Sequence, residues 1–230
     1  MKVNKRIDRD GQAATKIFDN RRLKVDYRTL IPILKKGMLV LDVGCGTGSI
    51  SRDIANIIGD AGKVIGIDTT EQFIKSGKET YKATLNLELI HSDLFKFNPT
   101  QKFDLIISAR TLQWLNNPKD ALLKMKSLLN PKGVISILDY NHNTIEWNPE
   151  PPVSMKEFYT TFLNWRRNAG MNNGIADDLP KLMKDIGLIA IEKINSDEHY
   201  ERQRSDFKSK VGIWSKVAGS KQMVSEGYLD

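Results

Sequence analysis

The chain has 230 residues, 40% of them hydrophobic and 27% charged, a composition ordinary for a globular protein with room for a substantial core. No apolar run approaches the ~20 residues of a membrane-spanning helix. The opening MKVNKRIDRDGQ has no signal-like apolar segment, and the single cysteine, Cys45, excludes internal disulfides and a Cys-rich zinc site, so the expected location is cytoplasmic.

The net charge of +7 is placed unevenly: residues 1–36 carry 11 Lys/Arg against 4 Asp/Glu, and the rest of the chain is balanced. That segment reads either as an attractor of anionic partners or as a solvated helix face, and the scatter of its charges favours the solvated face. Residues 12–35 are expected to be helical, with Ile17, Phe18, Leu30, Ile31 and Leu34 as apolar positions. Strands and helices then alternate. Met38–Val43 reads as a strand, and Ile50, Ile54, Ile57 and Ile58 lie at helical spacing. Lys63–Asp68 is a second strand, Glu71–Ala83 a helix, Leu87–His91 a third strand and Phe103–Ser108 a fourth. Ala121, Leu122, Met125, Leu128 and Leu129 form another helical stripe, Asn130–Gly133 a turn, and Val134–Tyr140 a fifth strand. This alternation predicts an α/β fold, a doubly wound and mostly parallel sheet with helices on both faces. Ligands of such sheets bind beyond the carboxyl ends of the strands, where strand order reverses.

After the fifth strand the pattern breaks. NHNTIEWNPEPPVS reads as a loop, and Ser154 with Glu157 has the spacing of a capping box before an amphipathic helix. Leu179, Leu182, Met183 and Ile186 mark the next helix, Leu188–Ile194 a sixth strand, and the last 25 residues read as helical to irregular. We expect one domain over 1–230: a basic cap (1–36), a core (37–140), an inserted cover (141–175) and a C-terminal part (176–230).

The chemistry centres on VLDVGCGTGSIS. Gly44, Gly46 and Gly48 follow a buried strand, yet the third glycine comes one residue early for the dinucleotide pattern G-x-G-x-x-G, and the Gly-Lys-Ser/Thr of a P-loop is absent. Asp42 precedes the first glycine by two residues, giving D-x-G-x-G-x-G, and Asp68 ends the second strand. This arrangement resembles the first motif of class I S-adenosylmethionine-dependent methyltransferases, and FDLIISARTLQWLNNP and LNPKG are similar to the same family. The resemblance spans about residues 10–195. It implies a Rossmann-like methyltransferase fold and S-adenosyl-L-methionine as cofactor, with S-adenosyl-L-homocysteine as product. The family's sheet normally closes with a seventh strand, for which no candidate is found here. Glycines let the backbone pass close to the cofactor chain, with Cys45 and Thr47 inside the same turn. Asp42 would orient the loop or meet the amino group of the methionine moiety. Asp68 would accept the ribose hydroxyls, with Thr69 beside it. Asp93 would meet the adenine amino group, with Ser92, Leu94 and Phe95 nearby. Ser108, Ala109 and Arg110 would contact the methionyl part and the substrate. Cys45 reads as a small packed residue and His91 as structural.

The stretch Ser108–Thr111 lacks the Asn/Asp-Pro-Pro-aromatic motif of amino methyltransferases, no Pro-Cys nucleophile is present, and Ser108 does not fit a metal-dependent catechol-type site, so no metal is expected. What remains is similar to the small-molecule branch, including enzymes acting on trans-aconitate and quinone precursors. The expected function is methyl transfer to a small, anionic metabolite by in-line displacement. Catalytic candidates are His142 as a general base, Arg110 and Tyr140; substrate candidates are Gln113, Trp114, Trp147, Tyr159 and Arg166. Two other classes stay open: an RNA methyltransferase, disfavoured because no aromatic-interleaved basic patch or added RNA-binding module is visible, and a non-catalytic cofactor-binding protein. No membrane partner is expected, and the chain would be a monomer or homodimer.

Overall fold

The computed structural model describes residues 21–230. Five parallel strands lie in the order β3-β2-β1-β4-β5: β1 (Leu39–Val43), β2 (Lys63–Asp68), β3 (Leu87–His91), β4 (Phe103–Ala109) and β5 (Leu129–Leu138). The chain leaves β1 in one direction to build β2 and β3, then returns to place β4 on the other side of β1. The strand order therefore reverses between β1 and β4, and a crevice opens beyond their carboxyl ends.

Alternation along the strands builds two cores. Leu41, Val43, Ile65, Ile67 and Ile106 share one cluster, while Val40, Val64, Leu105 and Ile107 share the other. The first cluster is covered by α4 (Pro118–Ser127) and α6 (Ile175–Asp185), through Ala121, Leu122, Met125, Ile175 and Leu179. The second is covered by α1 (Leu23–Asp26) and α2 (Ser49–Ile58), through Leu23, Ile50, Ile54 and Ile58. Strands buried on both faces explain why the sequence runs are continuously apolar rather than alternating. Another helix, α3 (Glu71–Thr80), packs Phe73 and Ile74 inward.

A third cluster forms the cover. Phe158, Phe162 and Trp165 of α5 (Val153–Asn168) pack with Met223 of the short helix α9 (Gln222–Ser225), with Trp214 of α8 (Ile213–Gly219) partly buried against them. A further short helix, α7 (Phe207–Val211), precedes α8.

Several expectations are corrected. The helix expected over 12–35 is, in its described part, only α1 followed by a 3-10 turn, Arg28–Ile33, that contains Pro32; proline supplies no N–H and crowds the preceding turn. Ile17 and Phe18 lie outside the described residues. The strand expected at Leu188–Ile194 does not form: Ala190 takes φ +53°, outside the β region, and the segment pairs with no strand. Among the described residues β5 is thus one edge of the sheet, and β3 the other. β5 itself begins earlier than expected, since Leu129 already pairs with Phe103, and the Asn130–Gly133 turn survives as an irregularity before Val134 pairs with Leu105. Helix α5 starts at Val153 with no side-chain cap, so Ser154 and Glu157 do not make the capping box.

Candidate active site

The crevice is a continuous cleft of about 3150 Å³ lined by Gly44, Gly46, Asp68, Asp93, Arg110 and Trp114, among others. Single ligand pockets occupy roughly 300–1,000 Å³, so there is room for two ligands end to end. The cleft runs from the glycine turn, past the end of β4, to the space between β5 and residues 188–200.

The glycine turn is built by left-handed backbone. Gly44, Gly46 and Gly48 take φ of +75°, +59° and +81°. The N–H groups of Gly44 and Cys45 both donate to Ile67 O, at 2.8 and 3.1 Å, which pins the loop to β2. Asp68 completes the clamp: its Oδ2 accepts from Gly46 N at 2.9 Å and its Oδ1 from Thr70 N at 2.8 Å. A carboxylate has about four acceptor sites. Two are used here, so Asp68 retains acceptor capacity while lining the cleft. Thr47 is buried beside this clamp, and its Oγ1 has no partner among the described residues.

Asp42 does not bond to the loop. Its Oδ2 accepts from Ser51 Oγ of α2 at 2.6 Å, and burial, with the neighbouring Asp68 adding, raises its carboxyl to about 7. It belongs to the packing between β1 and α2 and does not line the cleft. Burial likewise pushes the Cys45 thiol well up, which fits a packed residue and not a nucleophile. Beyond β3, Asp93 Oδ1 accepts from Phe95 N at 2.8 Å, and Ser92 N donates to Asp68 O at 3.0 Å. Thr69, Ser92, Asp93 and Leu94 all line the cleft, and Phe95 lines it half-exposed. His91 Nε2 lies 3.1 Å from Thr69 O and is exposed.

The stations after β4 divide. Ser108 Oγ donates to Val43 O at 2.9 Å, tying β4 to β1, and does not line the cleft. Ala109 and Arg110 do. Arg110 takes φ +58° and turns its guanidinium into a buried cluster. Its Nε donates to Tyr140 Oη at 2.6 Å, and its Nη2 to Asp26 O at 3.2 Å and to Glu198 Oε1 at 2.7 Å. Burial works against its charge, but Tyr140, Glu198 and Asp26 outweigh that and hold it protonated. Arg110 Nη1 has no partner among the described residues.

A second polar network runs from the cleft wall into the interior behind it. Gln113 N donates to Asp139 Oδ2 at 3.0 Å, and Gln113 Oε1 lies 2.6 Å from His142 Nε2. Arg166 is fully buried: Nε donates to Asn173 Oδ1 and Nη2 to Gln113 O, both at 2.8 Å, and its guanidinium lies 4.6 Å from the Trp114 ring centre. Burial lowers it to about 10. Tyr159 Oη donates to His142 O at 2.9 Å. Arg166 and Tyr159 therefore brace the wall and do not line the cleft, whereas Gln113, Trp114, Tyr140, His142 and Trp147 do.

His142 is not the expected near-neutral base. Burial, with Arg166 adding, lowers it to about 3, leaving a neutral imidazole of little basicity. Asp139, at the end of β5, is the better proton acceptor. It lines the cleft, accepts from Gln113 N and Tyr140 N at 3.0 Å, and burial raises its carboxyl to about 7. The sequence offered one signal for Asp139, its place at the carboxyl end of the expected fifth strand. It offered none for Asp26 or Glu198.

A family profile described as a methyltransferase domain matches residues 34–224. Among curated relatives, malonyl-[acyl-carrier protein] O-methyltransferase 2 of Ilyobacter polytropus is 28% identical over 145 residues, covering 61% of this chain and 56% of that protein. Demethylmenaquinone methyltransferase of Staphylococcus aureus is 31% identical over 113 residues, covering 49% and 47%. The chain thus spans about half the length of the curated relatives it matches. A solved SAM-dependent methyltransferase from Aquifex aeolicus superposes with a TM-score of 0.56 at 25% identity, over 75% of this chain and 85% of that one.

Proposed function

We propose that this chain, which belongs to the methyltransferase-domain family, transfers a methyl group from S-adenosyl-L-methionine to a small-molecule acceptor that carries an acidic group. The observation that carries the reading is the single cleft joining the Asp68 end of the glycine turn to Arg110 beyond β4. The residues present fit the cofactor. Left-handed glycines present bare backbone, Asp68 keeps acceptor sites for hydroxyl donors, and Asp93 and Leu94 pair an acid with an apolar wall for a purine.

Bound S-adenosylmethionine supplies an electrophilic methyl group on a sulfonium centre, displaced in line by the acceptor. The chain's own work is positioning and exclusion of water. Gly44–Gly46 and Asp68 would hold the cofactor, with Thr69, Ser92 and Asp93 further along. Arg110 would meet the acidic group of the acceptor, and Trp114 and Trp147 would cover it. For an acceptor that must lose a proton, Asp139 Oδ would take it; a carboxylate acceptor needs no base. The relatives named for malonyl-acyl carrier protein and demethylmenaquinone support an acceptor outside nucleic acids.

An acceptor screen with methyl-labelled cofactor tests this. Turnover is expected among small carboxylic acids and acidic phenols, and Asp139→Asn is expected to lower kcat for the phenols while sparing the acids. Turnover confined to neutral amines or to RNA would overturn the acidic-acceptor reading.

A further inference from the structure

We propose that Arg110 forms a carboxylate-binding subsite that Glu198 occupies from within the chain, so that residues 189–200 act as a strap an acidic acceptor must displace. The inference rests on the acidic-acceptor reading above and adds what governs access to it.

The subsite is built. Arg110 is 7% exposed, Tyr140 Oη receives its Nε at 2.6 Å, and Nη1 is left without a partner among the described residues. Glu198 Oε1 receives Nη2 at 2.7 Å, and Glu198 Oε2 receives the Tyr200 hydroxyl. Asp26 Oδ1 stands 3.9 Å from Nη2 and is itself paired with Lys210. Lys210 offsets much of the Asp26 charge, which leaves Glu198 as the carboxylate in direct hydrogen-bond contact with the Arg110 guanidinium among the described residues. Removal of Glu198 exposes one buried positive charge with a free N–H, and a carboxylate replaces it charge for charge.

The strap is held by little else. From Ile189 to Tyr200 no backbone-to-backbone hydrogen bond occurs among the described residues. Its other side-chain ties to the rest of the chain are Lys193 with the exposed Asp177, Arg204 Nη1 to His199 O, and the Arg204 guanidinium 5.0 Å from the Tyr200 ring centre. Ile189 is 89% exposed and Ile194 53%, so little apolar burial anchors it. Such a segment opens at low cost. The strap residues also line the same cleft as Gly44 and Asp68, so a displaced Glu198 leaves space continuous with the glycine turn.

A tethered carboxylate competes at an effective concentration on the order of millimolar. A bare carboxylate therefore binds wild-type protein poorly, and an acceptor must add further contacts to win. Glu198 in this way selects against small acids that fit Arg110 but nothing else.

The test is calorimetric titration of the full chain with succinate, in parallel with S-adenosylhomocysteine. Glu198→Gln is expected to bind succinate roughly ten-fold or more tightly than wild type. The gain should vanish in the Glu198→Gln/Arg110→Lys double variant. Equal succinate affinity in wild type and Glu198→Gln, or a gain that persists without Arg110, would overturn the strap. Glu198→Ala repeats the comparison without an amide that could itself bond to Arg110. Loss of S-adenosylhomocysteine binding with the succinate difference intact would fault the cofactor reading and leave the strap standing.

Discussion

Gly44 sits at φ +75°, and a methyl group placed on it would stand 2.2 Å from Thr111 Oγ1. Both the backbone strain and the collision oppose any larger residue. Gly44→Ala should cost about 2 kcal/mol or more and lower Tm by roughly 5 °C or more, read by thermal melting; an unchanged melt would mean the turn is not as built. His142 supplies a prediction in pH. Its value falls from 6.5 to about 3 on folding because burial disfavours the charged ring. Between those limits the unfolded chain binds a proton that the folded chain refuses, so this group lowers stability as pH drops below about 6.5, by up to about 1.4 kcal/mol per unit. His142→Asn loses the ring contact with Gln113 Oε1 and is less stable at pH 7. The gap to wild type should narrow as pH falls towards 4, measured by urea unfolding across that range. A gap that is constant or grows would contradict a buried, neutral His142.

At the scale of elements, α2 shows how the sheet is sealed. Ile54 is fully buried in the cluster with Val40, Val64 and Leu105. Ile54→Ala should cost roughly 2–5 kcal/mol, whereas Leu85→Ala, at a side chain 96% exposed, should stay within about 0.5 kcal/mol. Denaturant midpoints compare the two, and similar costs would mean that the core is drawn wrongly. The same buried strands were the most readable part of the sequence. β2 and β3 fall at the residues their apolar runs marked, and β1 and β4 differ by one residue at an end. The exception, Leu188–Ile194, has a comparable composition. Its neighbours decide against it: a left-handed Ala190 and no paired strand edge, neither of which a local pattern encodes. α1 shows the same limit, because Pro32 interrupts a stretch whose apolar spacing alone read as one long helix.

Across the whole molecule, legibility follows distance along the chain. The glycine turn and Asp68 act on each other across 22 residues, and fixed spacing within one strand-helix-strand unit revealed them. Arg110 could be placed after β4, but its partners Asp26 and Glu198 lie 84 and 88 residues away on parts that fold over the sheet from opposite ends of the chain. Nothing local to Glu198 marks it. Arg166 and Tyr159 were expected to meet substrate, yet neither lines the cleft, because which side of the wall they occupy depends on how α5 packs. No described helix is long and apolar enough to cross a membrane. The fold thus sets the glycine-turn end of the cleft, written in a short motif, against the Arg110 end, assembled from distant segments.

The central claim is that the glycine turn and Asp68 form a working cofactor site. The most direct measurement is calorimetric titration of wild type and Asp68→Ala with S-adenosylhomocysteine. Wild type should bind with micromolar affinity, and Asp68→Ala should lose roughly ten- to a hundred-fold, the worth of a charge-assisted hydrogen bond. A folded wild-type chain that binds no S-adenosylhomocysteine, or an Asp68→Ala variant that binds as tightly as wild type, would contradict the account.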